Sequence, residues 1–447
     1  MTPTRLWIRN PLAILADDAA GGVVIEGTRI VERIGAGGQP AAPADETFDA
    51  RRHVVLPGLI NTHHHFFQTL TRAHPVAINK PLFAWLQALY PVWEKLTPDA
   101  FRLATRLAYV ELLLSGCTTA GDHHYLFPKG LEHSMDIQVD EARSLGIRAV
   151  VTRGSMSDCA DGLTPASLVQ DDDTILQDSE RALQLFHDPE PGAMIQIGLA
   201  PCSPFNVTKR LMRESARLAE IHDCRLHTHL GETLDERAYC LEKFGQRPVD
   251  YLEDVGWMGA RTWLAHGIHF NDNEVRRLGK AGVGICHCPT SNMVLASGRC
   301  RTCELEAAGS PVGLGVDGSA SNDNSNLMES VRHALMLSRI TYGAEAVTHR
   351  DALRWATEGS AACLGRTDIG RLEAGREADL AMFTLEELRF SGSHDPLAAL
   401  VHCGAHRADR VMVAGQWRVI DGQPVGVDTG QLRVEHSKLA RDLFGVL

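Results

Sequence analysis

The sequence predicts an α/β protein: a (β/α)8 TIM barrel with a small β-sandwich assembled from the two ends of the chain. Three patterns predict it. Eight short apolar runs alternate with helical patterns across residues 58–365, the rhythm of a parallel barrel. Both chain ends instead read as short strands divided by turns, and two β fragments too small to stand alone most simply pair with each other. A histidine or aspartate closes five of the eight barrel runs, at the strand end where this architecture places its chemistry. The expected division is 1–57 with 366–447 for the sandwich, and 58–365 for the barrel.

Taken in order, residues 1–57 hold the runs Leu12-Ala13-Ile14-Leu15, Gly22-Val23-Val24-Ile25 and Arg29-Ile30-Val31, then a glycine loop at 35–38. The apolar run 54–60 reads as one buried strand leading into Asn61-Thr62-His63-His64-His65. Strand side chains alternate faces, so His63 and His65 point one way and His64 the other. Two imidazoles converging from a rigid strand end make half of a tetrahedral metal site. The insertion at 75–96, with Trp85, Tyr90 and Trp93, is too long for a bare connection and is expected to form a lid or pocket wall. Thr97-Pro98 starts a helix that closes near Ser115-Gly116. Further strands are expected at 117–122, 149–151, 195–199, 225–229, 262–266, 283–286 and 311–317, with one intervening helix capped by Asn271 and Glu274. A turn-rich segment at 370–383 leads to strands at 411–415 and 417–420.

At 447 residues the chain exceeds one ordinary core. Its 44% apolar and 22% charged content is that of a soluble globular enzyme. A net charge of −12 argues against a nucleic-acid polymer or an anionic membrane as partner. No apolar run reaches the length of a membrane span, and residues 1–9 lack the core and cleavage pattern of a signal peptide. Eleven scattered cysteines fit free thiols in a reducing, cytoplasmic setting.

The strand ends read His63/His65, Asp122-His123-His124, Cys202, His227/His229, His266 and Asp317. Each alone could be a satisfied core polar group; together they make a site. Glu232, three residues beyond His229, suits a carboxylate that handles protons beside a metal without ligating it. Asp317, before Gly318-Ser319-Ala320-Ser321, could bind metal and receive a proton, or simply cap the loop. Cys286-His287-Cys288 with Cys300 and Cys303 has the look of a zinc ribbon. Against that, Cys286 ends an apolar strand and Cys288 precedes Pro289. Asp171-Asp172-Asp173 reads as a solvated loop.

Pro57-Gly58-Leu59-Ile60-Asn61-Thr62-His63-His64-His65, His229-Leu230-Gly231-Glu232, Leu264-Ala265-His266, Pro289-Thr290-Ser291-Asn292, Gly315-Val316-Asp317-Gly318 and Gly375-Arg376-Glu377-Ala378-Asp379-Leu380 together resemble the amidohydrolase superfamily. The resemblance spans nearly the whole chain and implies the same barrel-plus-sandwich fold. It is closest to the mononuclear aminohydrolase branch. Binuclear members carry a carboxylated lysine at the end of strand four, where this chain has Leu199-Ala200-Pro201-Cys202-Ser203 and no lysine before Lys209. The resemblance implies one divalent metal on His63, His65, His229 and Asp317. It further implies that His266 orients or polarises the nucleophilic water, that Glu232 shuttles protons, and that the protein is a homo-oligomer. Three histidines and an aspartate suit zinc or iron.

The spacing His63-x-His65-x-x-Gln68 is similar to that of guanine deaminases, which place an arginine near the position held here by Cys202. Residues 63–72, Asp122-His123-His124-Tyr125 and Pro201-Cys202-Ser203-Pro204-Phe205 most resemble the members that deaminate 8-oxoguanine to urate and ammonia. Gln68, Arg72, Tyr125 and Cys202 are the implied substrate contacts. The bland alternatives are a surface ion pair for Arg72 and packing for Tyr125 and Cys202. Rival activities are hydroxytriazine, pterin or guanine deamination and binuclear amide or ester hydrolysis; a catalytically silent scaffold is the rival from another class.

Overall fold

The computed structural model describes residues 4–159 and 162–445, so the first three residues of the 1–9 segment lie outside it. The apolar run before the histidines is two strands, not the one expected. His53–Pro57 joins Ala13–Ile14 and Leu380–Thr384 in a six-stranded sheet built from both chain ends. Leu59–Asn61 begins the barrel. Gly58 is the hinge between them: a Cβ there would lie 2.1 Å from Thr118 Oγ1, so only glycine lets the two sheets pass this closely.

The barrel strands are Leu59–Asn61, Cys117–His124, Arg148–Ser155, Ile195–Pro201, Arg225–Leu230, Thr262–His266, Gly284–His287 and Val312–Leu314. They pair in sequence order, all parallel. Last and first strands meet where Thr62 N donates to Leu314 O (3.0 Å) and Asp317 N to His63 O (3.1 Å). Every expected barrel strand is present. Most are buried along their whole length, which is why they read as unbroken apolar runs.

Local chemistry sets the helix starts. Thr97 Oγ1 accepts from Ala100 N and opens Pro98–Leu114; Asn271 and Glu274 form the expected capping box. Asp171-Asp172-Asp173 is not a loop. Asp171 caps Thr174 N and starts the helix Asp172–Phe186, where the first-turn carboxylates favour the positive end of the helix dipole.

The N-terminal segment forms a second, four-stranded sheet from Arg29–Ile34, Gly22–Glu26, Arg5–Arg9 and Glu46–Asp49. The tail strands are Arg410–Val413 and Gln416–Ile420. Buried Arg148, on the third barrel strand, bonds Asp379 (2.8 Å) and Glu377 (3.1 Å), so the Glu377-Ala378-Asp379 motif anchors the tail to the barrel. A C-terminal helix, Thr429–Phe444, was not read from the sequence; His436 on it bonds Thr69 Oγ1 (3.1 Å). No described helix is long and apolar enough to cross a membrane.

Candidate active site

The first strand delivers its histidines as alternation requires. His63 Nε2 and His65 Nε2 each lie 3.3 Å from Asp317 Oδ1. His64 faces away, with Nε2 2.8 Å from Ser325 Oγ and its ring edge-on to Phe66. His229, from the fifth strand, brings Nε2 to 3.2 Å from His65 Nε2. Two overlapping groups have ligand atoms close enough to share an ion: His63, His65, His123 and His229, and His63, His266 and Asp317.

Hydrogen bonds on the far side of each ring aim these nitrogens. His65 Nδ1 donates to His123 O (2.7 Å), and His229 Nδ1 to Cys202 O (2.7 Å). His63 Nδ1 meets His227 Nε2 (2.8 Å), and His266 Nδ1 meets Asn292 Oδ1 (2.9 Å). Carbonyl oxygens only accept, so the facing Nδ1 carries hydrogen and, in the neutral ring, Nε2 keeps its lone pair. His63 Nε2 is buried with no hydrogen-bond partner. Burial pushes the His65 imidazole down to about 3 and also lowers His63 and His229, which keeps them in the neutral form a metal requires. Burial alone would raise the Asp317 carboxyl, but the imidazoles of His63, His65 and His266 hold it well below the usual carboxylate range. Three bare imidazole nitrogens and one ionised carboxylate fit a divalent metal ion.

Beside this set lies a second carboxylate of opposite character. Burial lifts Glu232 to about 7, with His266 lowering it and Asp317 raising it. Its Oε2 is 3.6 Å from His266 Nε2. Glu236 holds the backbone here, accepting from Gly231 N (2.8 Å) and Glu232 N (3.2 Å). Burial opposes protonation of His266, yet Glu232 and Asp317 raise it above its ordinary value. His266 (φ 72°) and Asp317 (φ 65°) are both left-handed non-glycine residues, strain of the kind that collects at functional sites.

One cavity joins His65, His229, His266, Asp317 and Glu232 to Gln68, Tyr125 and Cys202. Gln68 Oε1 accepts from Ala320 N (3.2 Å), fixing the carboxamide. The Tyr125 ring stands edge-on to His65 at 5.1 Å. Burial pushes the Cys202 thiol up to about 12, so it lines the cavity as a neutral group. Arg72 departs from expectation. It does not line the cavity, because Glu111 on the helix Pro98–Leu114 takes its guanidinium through both carboxylate oxygens. Sequence reasoning missed Leu82, Leu86, Phe205 and Leu295. The 75–96 insertion is the pocket wall: its helix Leu82–Trp93 contributes Trp85 and Tyr90. Cys286 and Cys288 are buried with sulfurs 3.7 Å apart, and among the described residues no candidate metal group includes a cysteine.

The model of the Amidohydrolase family matches residues 54–418. The 8-oxoguanine deaminase of Pseudomonas aeruginosa (strain PAO1) is 62% identical over 446 residues, 99% of each chain. The hydroxydechloroatrazine ethylaminohydrolase of Pseudomonas sp. (strain ADP) is 37% identical over 413 residues, covering 90% of this chain and 85% of that one. Among solved structures, atrazine chlorohydrolase from Arthrobacter aurescens TC1, complexed with zinc, superposes with a TM-score of 0.91 at 32% identity, covering 97% of this chain and 100% of that one.

Proposed function

Because this chain belongs to the amidohydrolase family, we propose that it hydrolytically deaminates 8-oxoguanine, consuming one water and giving urate and ammonia. It is a hydrolase acting on C–N bonds, with a metal ion and a small heterocyclic substrate. The observation that carries the reaction type is one cavity lined by His65, His229, Asp317 and Glu232, with His63 Nε2 3.3 Å from Asp317 Oδ1. The choice of purine is supported by full-length identity with the Pseudomonas aeruginosa deaminase.

In this reading His63, His65, His229 and Asp317 hold the ion. Bound there, a divalent metal acts as a Lewis acid that brings the pKa of water toward neutrality. The residues do the rest. Asp317 and His266, both lining the cavity, take the proton that the nucleophilic water gives up. Glu232 carries a proton on its carboxyl and donates it to the ring nitrogen beside the amine-bearing carbon. From the tetrahedral carbon the amine takes up the proton held by Asp317 or His266 and departs as ammonia, while the hydroxyl proton returns to Glu232 as the carbonyl forms. Gln68, Tyr125 and Cys202 position the ring; Arg72 is left outside this set.

Zinc is the proposed metal over iron, supported by the zinc of the Arthrobacter hydrolase. The reading also has a cytoplasmic homo-oligomer, with neither nucleic acid nor membrane as partner, and the domain division 1–57 with 366–447 around 58–365. Ammonia release by zinc-loaded protein from 8-oxoguanine, guanine, isoxanthopterin, hydroxyatrazine and cytosine tests it. The highest kcat/KM is expected on 8-oxoguanine, with loss of activity on chelation and recovery with zinc. Preference for a triazine or pterin would overturn the purine assignment and leave the metal chemistry standing.

A further inference from the structure

His227 lies on the fifth strand, two residues before His229, but belongs to neither candidate ligand group. It is buried, and its ring stacks on Trp263 with centroids 4.2 Å apart and planes 10° from parallel. Its Nδ1 is 2.9 Å from the Trp263 carbonyl oxygen, and its Nε2 is 2.8 Å from His63 Nδ1. The far nitrogen of His63, Nε2, is buried and lies 3.3 Å from Asp317 Oδ1.

We propose that His227 is a positioning residue that fixes the tautomer of His63, so that His63 Nε2 presents its lone pair to the metal ion. The inference rests on the metal site described above. The Trp263 carbonyl can only accept, so His227 Nδ1 carries the hydrogen. A neutral His227 then has a bare Nε2, which pairs with His63 only if His63 Nδ1 carries a hydrogen. A neutral His63 with hydrogen on Nδ1 has none on Nε2. The opposite tautomer of His227 would set a lone pair against the Trp263 carbonyl. It would also place a hydrogen on His63 Nε2, the atom 3.3 Å from Asp317. His65 and His229 take their tautomers directly from backbone carbonyls. His63 takes its tautomer from a carbonyl relayed through a second imidazole. Partners of this kind typically change metal affinity by roughly 10- to 100-fold when removed.

The test compares His227→Phe, which keeps the stack on Trp263 but cannot accept, with His227→Gln, whose carboxamide oxygen can still accept from His63. Metal-free proteins are titrated with zinc against a competing chelator, and the cobalt-substituted proteins are compared by their d–d absorption. The expected result is a loss of about 10- to 100-fold in zinc affinity with an altered cobalt spectrum for His227→Phe. His227→Gln should stay close to the wild-type protein. His227→Met supplies the same comparison if the phenylalanine variant does not fold. Equal zinc affinity in wild type and His227→Phe overturns the inference, as does an equal loss in the glutamine and phenylalanine variants. A wild-type protein that takes up no metal overturns the site reading itself, a different and separately visible failure.

Discussion

Replacing Glu232 with glutamine isolates the proton-transfer role from everything else in the site. Glutamine has nearly the shape of glutamate, so the cavity and the backbone clamp from Glu236 persist. What disappears is a carboxyl that can hold and release a proton 3.6 Å from His266 Nε2. Positioned acid–base groups contribute about 10²- to 10⁴-fold, or roughly 3–5 kcal/mol of barrier at about 1.4 kcal/mol per decade. Glu232 is in neither ligand group, so metal content should not change. The pH profile gives an independent signature. Glu232 is lifted to about 7 by burial, and the proton-bearing form is the active one. Wild-type kcat/KM should therefore fall about tenfold per unit above that pH, and the glutamine variant should lose this limb. Steady-state ammonia release from 8-oxoguanine across pH, with metal analysis of each sample, measures both. A metal-loaded Glu232→Gln variant within tenfold of wild type, or one keeping the alkaline limb, would refute the assignment.

Other substitutions probe the cavity and the frame. Gln68→Ala removes the carboxamide held by Ala320 N and should raise KM about fivefold, the worth of one net hydrogen bond of roughly 1 kcal/mol; an unchanged KM would remove Gln68 from the substrate contacts. Arg72→Ala should leave KM unaltered, because its guanidinium is taken by Glu111. That part-exposed pair should contribute only about 0.2–1 kcal/mol to stability, so a large rise in KM would return Arg72 to the pocket. Gly58→Ala places a Cβ 2.1 Å from Thr118 Oγ1 and should destabilise by about 1–3 kcal/mol, as overpacking does. Denaturant unfolding would measure it, and an unchanged midpoint would show that the sheet junction relaxes.

The barrel was legible because its strands are buried on both faces and so announce themselves as apolar runs. Polar side chains at the ends of such runs stand out for the same reason, which brought His63, His65, His229, His266 and Asp317 into view. The junction at Pro57-Gly58 was not legible. Both of its strands are apolar throughout, and periodicity cannot tell one strand from two that change sheets. The N-cap role of Asp171 was hidden because a run of aspartates looks solvated whether or not a helix follows. Arg72 misled for another reason: sequence distance from His65 says nothing about direction. The short helical turn Phe66–Thr71 intervenes, and Arg72 leaves it toward the outer helix. The pocket wall at Leu82–Trp93 was signalled by its aromatics, though not which of them face the cavity. Partners such as Asn292 and Trp263 O depend on packing between strands far apart in sequence.

The two carboxylates explain why the site suits an amine as leaving group. Asp317 sits among imidazoles, within 3.3 Å of two of them, and stays ionised despite burial. Glu232 is equally enclosed but has only His266 to offset desolvation, and the negative Asp317 works against its ionisation. One cavity therefore holds two similar groups at opposite ends of their titration, a division that suits the base and acid roles proposed for them. Chloride leaves as a stable anion and needs no proton, whereas an amine must be protonated to depart. In the proposed mechanism Glu232 protonates the ring nitrogen, which assists attack whichever group leaves, so the proton on the departing amine is the one that Asp317 or His266 took from the water.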